Sequence, residues 1–228
     1  MDLELQHRVA LVVGGKGYVG AAVADRLRTE GATVVVASRS AGDDDASVTM
    51  DTASQASVDA AVAAVLERYG RIDVLVVTAA PSAGTLDPAK RSDPTQVLDA
   101  IDGKAIGFLR VATAVLPGQR DAGHGRVVVV SGQNAYLSGN ITASLRNAAV
   151  GVIAKNLADE NAGTGVTVNV VNPGTVTDTP SAAVRPGAGG ESSPEQIADL
   201  VAFLSSPRSV VSGESISIAH RVLGTVTY

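Results

Sequence analysis

Val9-Ala10-Leu11-Val12-Val13 runs directly into Gly14-Gly15-Lys16-Gly17-Tyr18-Val19-Gly20 and then into the alanine-rich stretch Ala21-Ala22-Val23-Ala24. The order is apolar strand, glycine turn, helix. Glycines let a backbone pass close to a pyrophosphate, and the first-turn N–H groups of the following helix are unpaired and carry the positive end of its dipole. A dinucleotide is the natural ligand of such a turn. Gly14, Gly17 and Gly20 stand three apart, a G-x-x-G-x-x-G variant of the commoner G-x-G-x-x-G. Context strengthens it, because a second strand ends about twenty residues on, where a ribose contact is expected.

Beyond this segment, short Val/Ile-rich runs alternate with longer alanine-rich amphipathic stretches. That alternation predicts an α/β fold, a Rossmann-type doubly wound parallel sheet with helices on both faces. Seven strands are expected near 8–13, 33–37, 47–50, 72–78, 126–131, 166–171 and 215–219, with helices near 19–30, 54–69, 95–116, 142–161 and 194–204. No internal repeat or linker breaks the pattern, so residues 1–228 read as a single domain. Two stretches read as loops: 41–46, with three aspartates, and 177–193, rich in Gly, Pro, Ser and Ala. The second is either a substrate-side lid or a surface loop.

Composition narrows the partners. A net charge of −5 with scattered basic residues offers no footprint for nucleic acid or an anionic membrane, and 3% aromatic residues supply few stacking surfaces. The absence of cysteine removes disulfides, thiolate nucleophiles and most structural zinc sites, and His7, His124 and His220 lack metal-ligand spacing, so no metal is expected. No apolar run approaches a membrane span and the start carries Asp2 and Glu4 rather than a basic leader, which makes a cytoplasmic protein the expectation.

The ribose position supplies a cofactor preference. NAD sites usually place a carboxylate there, whereas this chain has Ser38 followed by Arg39. A guanidinium fork and a hydroxyl suit a 2′-phosphate, and Lys16 in the glycine turn adds a second cation. NADP(H) is therefore expected over NAD, the alternative being that Arg39 is an ordinary solvated loop arginine.

With these residues in hand, the chain resembles the short-chain dehydrogenase/reductase family over nearly its whole length. Asp51 matches the family's adenine-contacting aspartate, Asp73-Val74-Leu75-Val76 its run into the fourth strand, and Asn172-Pro173-Gly174-Thr175-Val176 its Pro-Gly turn beside the nicotinamide. Thr177 or Thr179 would match the carboxamide-contacting threonine, and 194–213 the last helix and strand. The resemblance implies a cofactor site made by Gly14, Lys16, Gly17, Tyr18, Val19, Gly20, Ser38, Arg39, Asp51, Thr52, Ala79, Asn147, Pro173, Gly174 and Val176. It also implies a homodimer or homotetramer formed through the helices near 95–116 and 142–161.

The departures are as informative. The family's Asn-Asn-Ala-Gly after the fourth strand is Val77-Thr78-Ala79-Ala80 here. Its helix asparagine aligns with Lys104, and Ser131 falls one place before the usual catalytic serine, at which Gly132 stands. Alignment of the Tyr-x-x-x-Lys element puts Ala143 at the tyrosine and Asn147 at the lysine. Alanine has no proton to give, and an amide has no charge with which to stabilise a phenolate. Arg146, one step from the lysine position, is turned about 100° around the helix.

Three residues are candidates for replacement chemistry. Tyr136 is either a proton donor from a new direction or a packed pocket wall; Lys104 is an anchor for a carboxylate, an amine of lowered pKa, or a solvated helix lysine; Ser131 is a contact for a substrate carbonyl. The leading expectation is an atypical NADP-dependent oxidoreductase acting on a carbonyl or activated double bond of a small organic substrate. The alternatives are a non-redox enzyme on the same scaffold (cyclase, isomerase or lyase) and a nucleotide-binding regulatory or partner subunit without turnover.

Overall fold

The structure, a computed structural model, describes residues 2–224 apart from Ala41, Asp43 and Ser82. Strand β1 (Val9–Val13) is buried at every position. Alternate side chains of a strand point to opposite faces, and here each face has its own apolar layer: Val9, Leu11 and Val13 pack into one cluster, Ala10 and Val12 into another. That is why the strand reads as an unbroken apolar run.

Helix α1 (Tyr18–Thr29) follows the glycine turn, then β2 (Thr33–Ser38), β3 (Ser47–Thr49), α2 (Gln55–Tyr69) and β4 (Val74–Val77). Helices α3 (Pro94–Ile101) and α4 (Gly107–Asp121) precede β5 (Gly125–Val130), and α5 (Ile141–Glu160) precedes β6 (Val166–Asn172). The chain then forms β7 (Thr175–Val176), β8 (Glu191–Ser192), α6 (Pro194–Ser205) and β9 (Ser215–Ser217). The main sheet has seven strands in the order β3-β2-β1-β4-β5-β6-β9, all parallel, as the alternating pattern predicts. Strand order reverses between β1 and β4, and the crevice beyond their carboxyl ends is where such sheets receive ligands.

Local signals fix the helix ends. Ser54 caps α2 by accepting from Ser57 N, and Gly70 ends it in the left-handed conformation. Ser193, Pro194 and Gln196 make a capping box with proline at the first helical position of α6.

Two expectations are corrected. The single helix expected over 95–116 is α3 and α4 joined by a π-helical turn at Asp102–Ile106, and α4 runs on through Pro117 to Asp121. The loop expected over 177–193 contains β8, which pairs with β7 in a separate two-stranded sheet, while Gly187, Ala188 and Gly189 line the crevice. In the loop at 41–46, Ala41 and Asp43 lie outside the described residues, and Asp44 bridges to Ser47.

At the opposite end of the sheet Asp73, with its side chain 2% exposed, accepts from Val9 N at 2.9 Å and from Arg71 Nε at 2.9 Å, and pairs with Arg8. It ties the start of β1 to β4. Asp73→Ala would leave a buried amide and two guanidinium groups without this acceptor, and is expected to cost about 3 kcal/mol in urea unfolding.

Candidate functional site

The glycine turn is built first by packing. Gly14 has φ +85, and a Cβ there would lie 2.6 Å from Ala79 N; a Cβ on Gly20 would collide with the Gly14 carbonyl oxygen and lie 2.7 Å from Thr78 Oγ1. Both glycines let β1, β4 and α1 converge. Gly17, which precedes α1, meets only the Gly14 oxygen at 3.2 Å and opens toward the crevice.

On one side of the turn lies a hollow of about 300 Å³ lined by Gly14, Gly17, Ser38, Arg39, Asp51, Thr52 and Ala79. Ser38 Oγ is buried there with no partner among the described residues, and Arg39 is exposed beside it. Lys16 stands on the same rim, its Nζ donating to Ser40 O at 2.6 Å. Asp51 fixes its own loop by accepting from Ala53 N at 3.0 Å.

On the other side is a cleft of about 450 Å³ lined by Val19, Pro173, Gly174 and Val176, by Ser131, and by Lys104, Arg146 and Asn147. The π turn brings Lys104 there. Such turns insert one residue per helical turn and redirect the side chains within them, and Gly103 allows this one to close against Pro81, whose Cγ would lie 2.7 Å from a Cβ. Lys104 is 7% exposed, its Nζ donating to Ser131 O at 3.0 Å and Asn147 Oδ1 at 2.6 Å. Burial, helped by the charge of Arg146, pushes its pKa down from 10.5 to about 7.

Ser131 Oγ donates to Asn147 O at 3.1 Å, and Asn147 Nδ2 donates to Ala143 O at 2.8 Å. Asn147 is thus tied to its own helix and to Lys104, with one Nδ2 hydrogen left over in a residue that lines the cleft. Tyr136 needs a correction. Its hydroxyl lies 3.1 Å from Ser215 Oγ and accepts from Asn172 Nδ2 at 3.2 Å, while Arg221 stacks 4.4 Å from its ring centroid. It is absent from the cleft lining, so it is neither part of that wall nor placed to give a proton there. Arg146, set aside in the sequence because of its angle, does reach the cleft.

The family model described as short chain dehydrogenase matches residues 8–186. The chain belongs to the short-chain dehydrogenase family. A relative from Thauera aromatica named (2S)-[(R)-hydroxy(phenyl)methyl]succinyl-CoA dehydrogenase subunit BbsC is 36% identical over 92% of each chain. The 3-oxoacyl-[acyl-carrier-protein] reductase FabG of Vibrio cholerae is 28% identical over 95% of this chain and 97% of its own. Among solved structures, gox2181 superposes with a TM-score of 0.79 at 25% identity, covering 95% of this chain and 96% of its own. Levodione reductase superposes with a TM-score of 0.82 at 22% identity, covering 95% and 97%.

Short-chain dehydrogenases bind nicotinamide cofactors, and the two halves of this crevice suit one unequally. The orphaned Ser38 hydroxyl and Arg39 supply hydrogen-bond donors at the adenosine end. Tyr18, the first residue of α1, donates its hydroxyl to Asp178 in the segment after β7. Tyr18, expected as a cofactor contact, holds a carboxylate within one tyrosine's reach of the helix N-terminus, where its charge adds to that of any anion bound there. The hydrogen bond to Asp178, then burial and the carboxylate charges of Asp178 and Glu195, hold the Tyr18 pKa up at about 12, so the phenol stays a donor throughout the neutral range.

Two measurements follow. Asp178→Asn removes the opposing charge and is expected to tighten NADP⁺ binding on the order of tenfold in calorimetry, with adenosine 2′,5′-bisphosphate binding changed much less. Lys104 has a folded pKa below its unfolded value, so the unfolded chain binds more protons between pH 7 and 10.5 and stability rises with pH across that window. Lys104→Met is expected to flatten that rise when Tm is followed from pH 7 to 10.

Proposed function

We propose that this chain is the non-catalytic member of a short-chain dehydrogenase assembly, a subunit that keeps the fold and a ligand cleft while hydride transfer is carried out by a partner subunit. The observation that carries the reading is Ala143 in the cleft wall, where the family's proton donor is expected, with the hydroxyl of the candidate replacement Tyr136 engaged by Ser215 and Asn172 outside the cleft lining. Losing general acid–base help costs about two to four decades of rate. The Tyr18–Asp178 bond at the diphosphate end supports the same reading, and the Thauera relative is itself named as a dehydrogenase subunit.

An exposed apolar stripe supports assembly. Ile141, Leu145 and Val152 on α5 are 49%, 44% and 63% exposed and recur at helical spacing. This is the helix through which the family resemblance implies a homodimer or homotetramer; a hetero-oligomer would use the same face. Of the nicotinamide nucleotides, Ser38 and Arg39 favour NADP(H) at the adenosine end. Among the described residues no helix is long and apolar enough to cross a membrane, and no group of three His, Cys, Asp or Glu could hold a metal.

A second reading, a slow NADP-dependent carbonyl reductase, is favoured by Lys104, a cleft-lining amine that can hold or release a proton near neutrality. One assay separates the two. The purified chain, incubated with NADPH and a broad carbonyl panel, is expected to show no loss of absorbance at the reduced-nicotinamide band. Steady turnover abolished by Lys104→Met would overturn the non-catalytic reading in favour of the second. For assembly, Leu145→Glu with Val152→Glu is expected to lower the mass in light scattering to that of a single chain.

A further inference from the structure

We propose that Arg146 and Lys104 form an anion site in the cleft that takes the carboxylate of a small organic acid with an apolar body. The inference stands whether or not the chain turns over, because it concerns what the cleft binds.

Arg146 lies on α5 with only 5% of its surface exposed. One guanidinium nitrogen, Nη2, donates to Pro81 O at 2.9 Å, whereas Nε and Nη1 have no acceptor among the described residues. A buried cation with unmatched N–H groups is costly, and such groups are rare in folded proteins unless a ligand or ion meets them. Burial holds this guanidinium below its ordinary range. Lys104 makes the second buried cation of the same cleft. Two of its three ammonium hydrogens are spent on Ser131 O and Asn147 Oδ1, leaving one donor.

The charges are unanswered. No Asp or Glu lines the cleft, and neither Arg146 nor Lys104 has an ion pair among the described residues. They also repel one another, since Arg146 contributes to lowering the Lys104 pKa. An anion between them would relieve both the repulsion and the unmatched donors. The remaining donor set is small, three nitrogens, which suits the two oxygens of a carboxylate better than the larger demand of a phosphate dianion. The surrounding wall is mixed, and within it Val130, Leu137 and Val176 supply apolar contacts for the rest of the molecule.

The test compares phenylacetate and hydrocinnamate with their primary amides, and with inorganic phosphate, by calorimetry on the full chain. At least one of the acids is expected to bind tenfold or more tighter than its amide, with Arg146→Met losing that preference and Lys104→Met reducing it several-fold. Arg146→Met is also expected to raise Tm, because a buried unmatched cation is replaced by an apolar side chain of similar length. If Arg146→Met does not fold, Arg146→Lys and the acid-against-amide comparison on the unaltered chain decide. Equal binding of acids and amides, no binding by any acid at millimolar concentration, an unchanged preference in Arg146→Met, or phosphate binding tighter than either acid would each overturn the proposal.

Discussion

Helix α1 has to start directly on the end of β1, with β4 pressed against the same turn, and there is room for this only because Gly14 and Gly20 lack side chains. Once that junction closes, the carboxyl ends of β1 and β4 flank one crevice, and every functional group of the molecule is displayed around it. The adenosine hollow, the Tyr18–Asp178 bond and the Lys104–Asn147 pair are all consequences of where this junction sets the neighbouring loops. Gly14 and Gly20 thus answer to packing within the chain before they answer to any ligand.

Much of this was legible in the sequence because it is encoded locally. Valine runs such as Val74-Leu75-Val76-Val77 are buried on both faces and announce parallel strands without help from distant residues. Ser54 and Ser193 mark helix starts through bonds to residues three further on. The π turn was not legible, since its closure depends on Gly103 meeting Pro81 and on Lys104 finding acceptors 27 and 43 residues away.

Side-chain direction in the site was harder still. Tyr136 stands in the loop after β5, but Ser215 and Asn172, far along the chain, decide which way its hydroxyl turns. Tyr18 read as part of a phosphate turn because its partner, Asp178, stands 160 residues on. Arg146 reads as one step off the lysine position, yet the cleft is wide enough for a neighbouring angle on α5 to face it as well.

The Lys104–Asn147 hydrogen bond invites one last consideration. In the family pattern the amide belongs to the helix that carries Lys104 and the amine to α5; here the two ends are transposed, and the link between the helices remains at 2.6 Å. A donor–acceptor pair spanning two packed helices is mechanically indifferent to which partner is which. Chemistry is not, because the positive charge has moved away from the place where a phenol would need it. A strut of this kind braces the walls of a binding chamber whichever of the two helices carries its charged end.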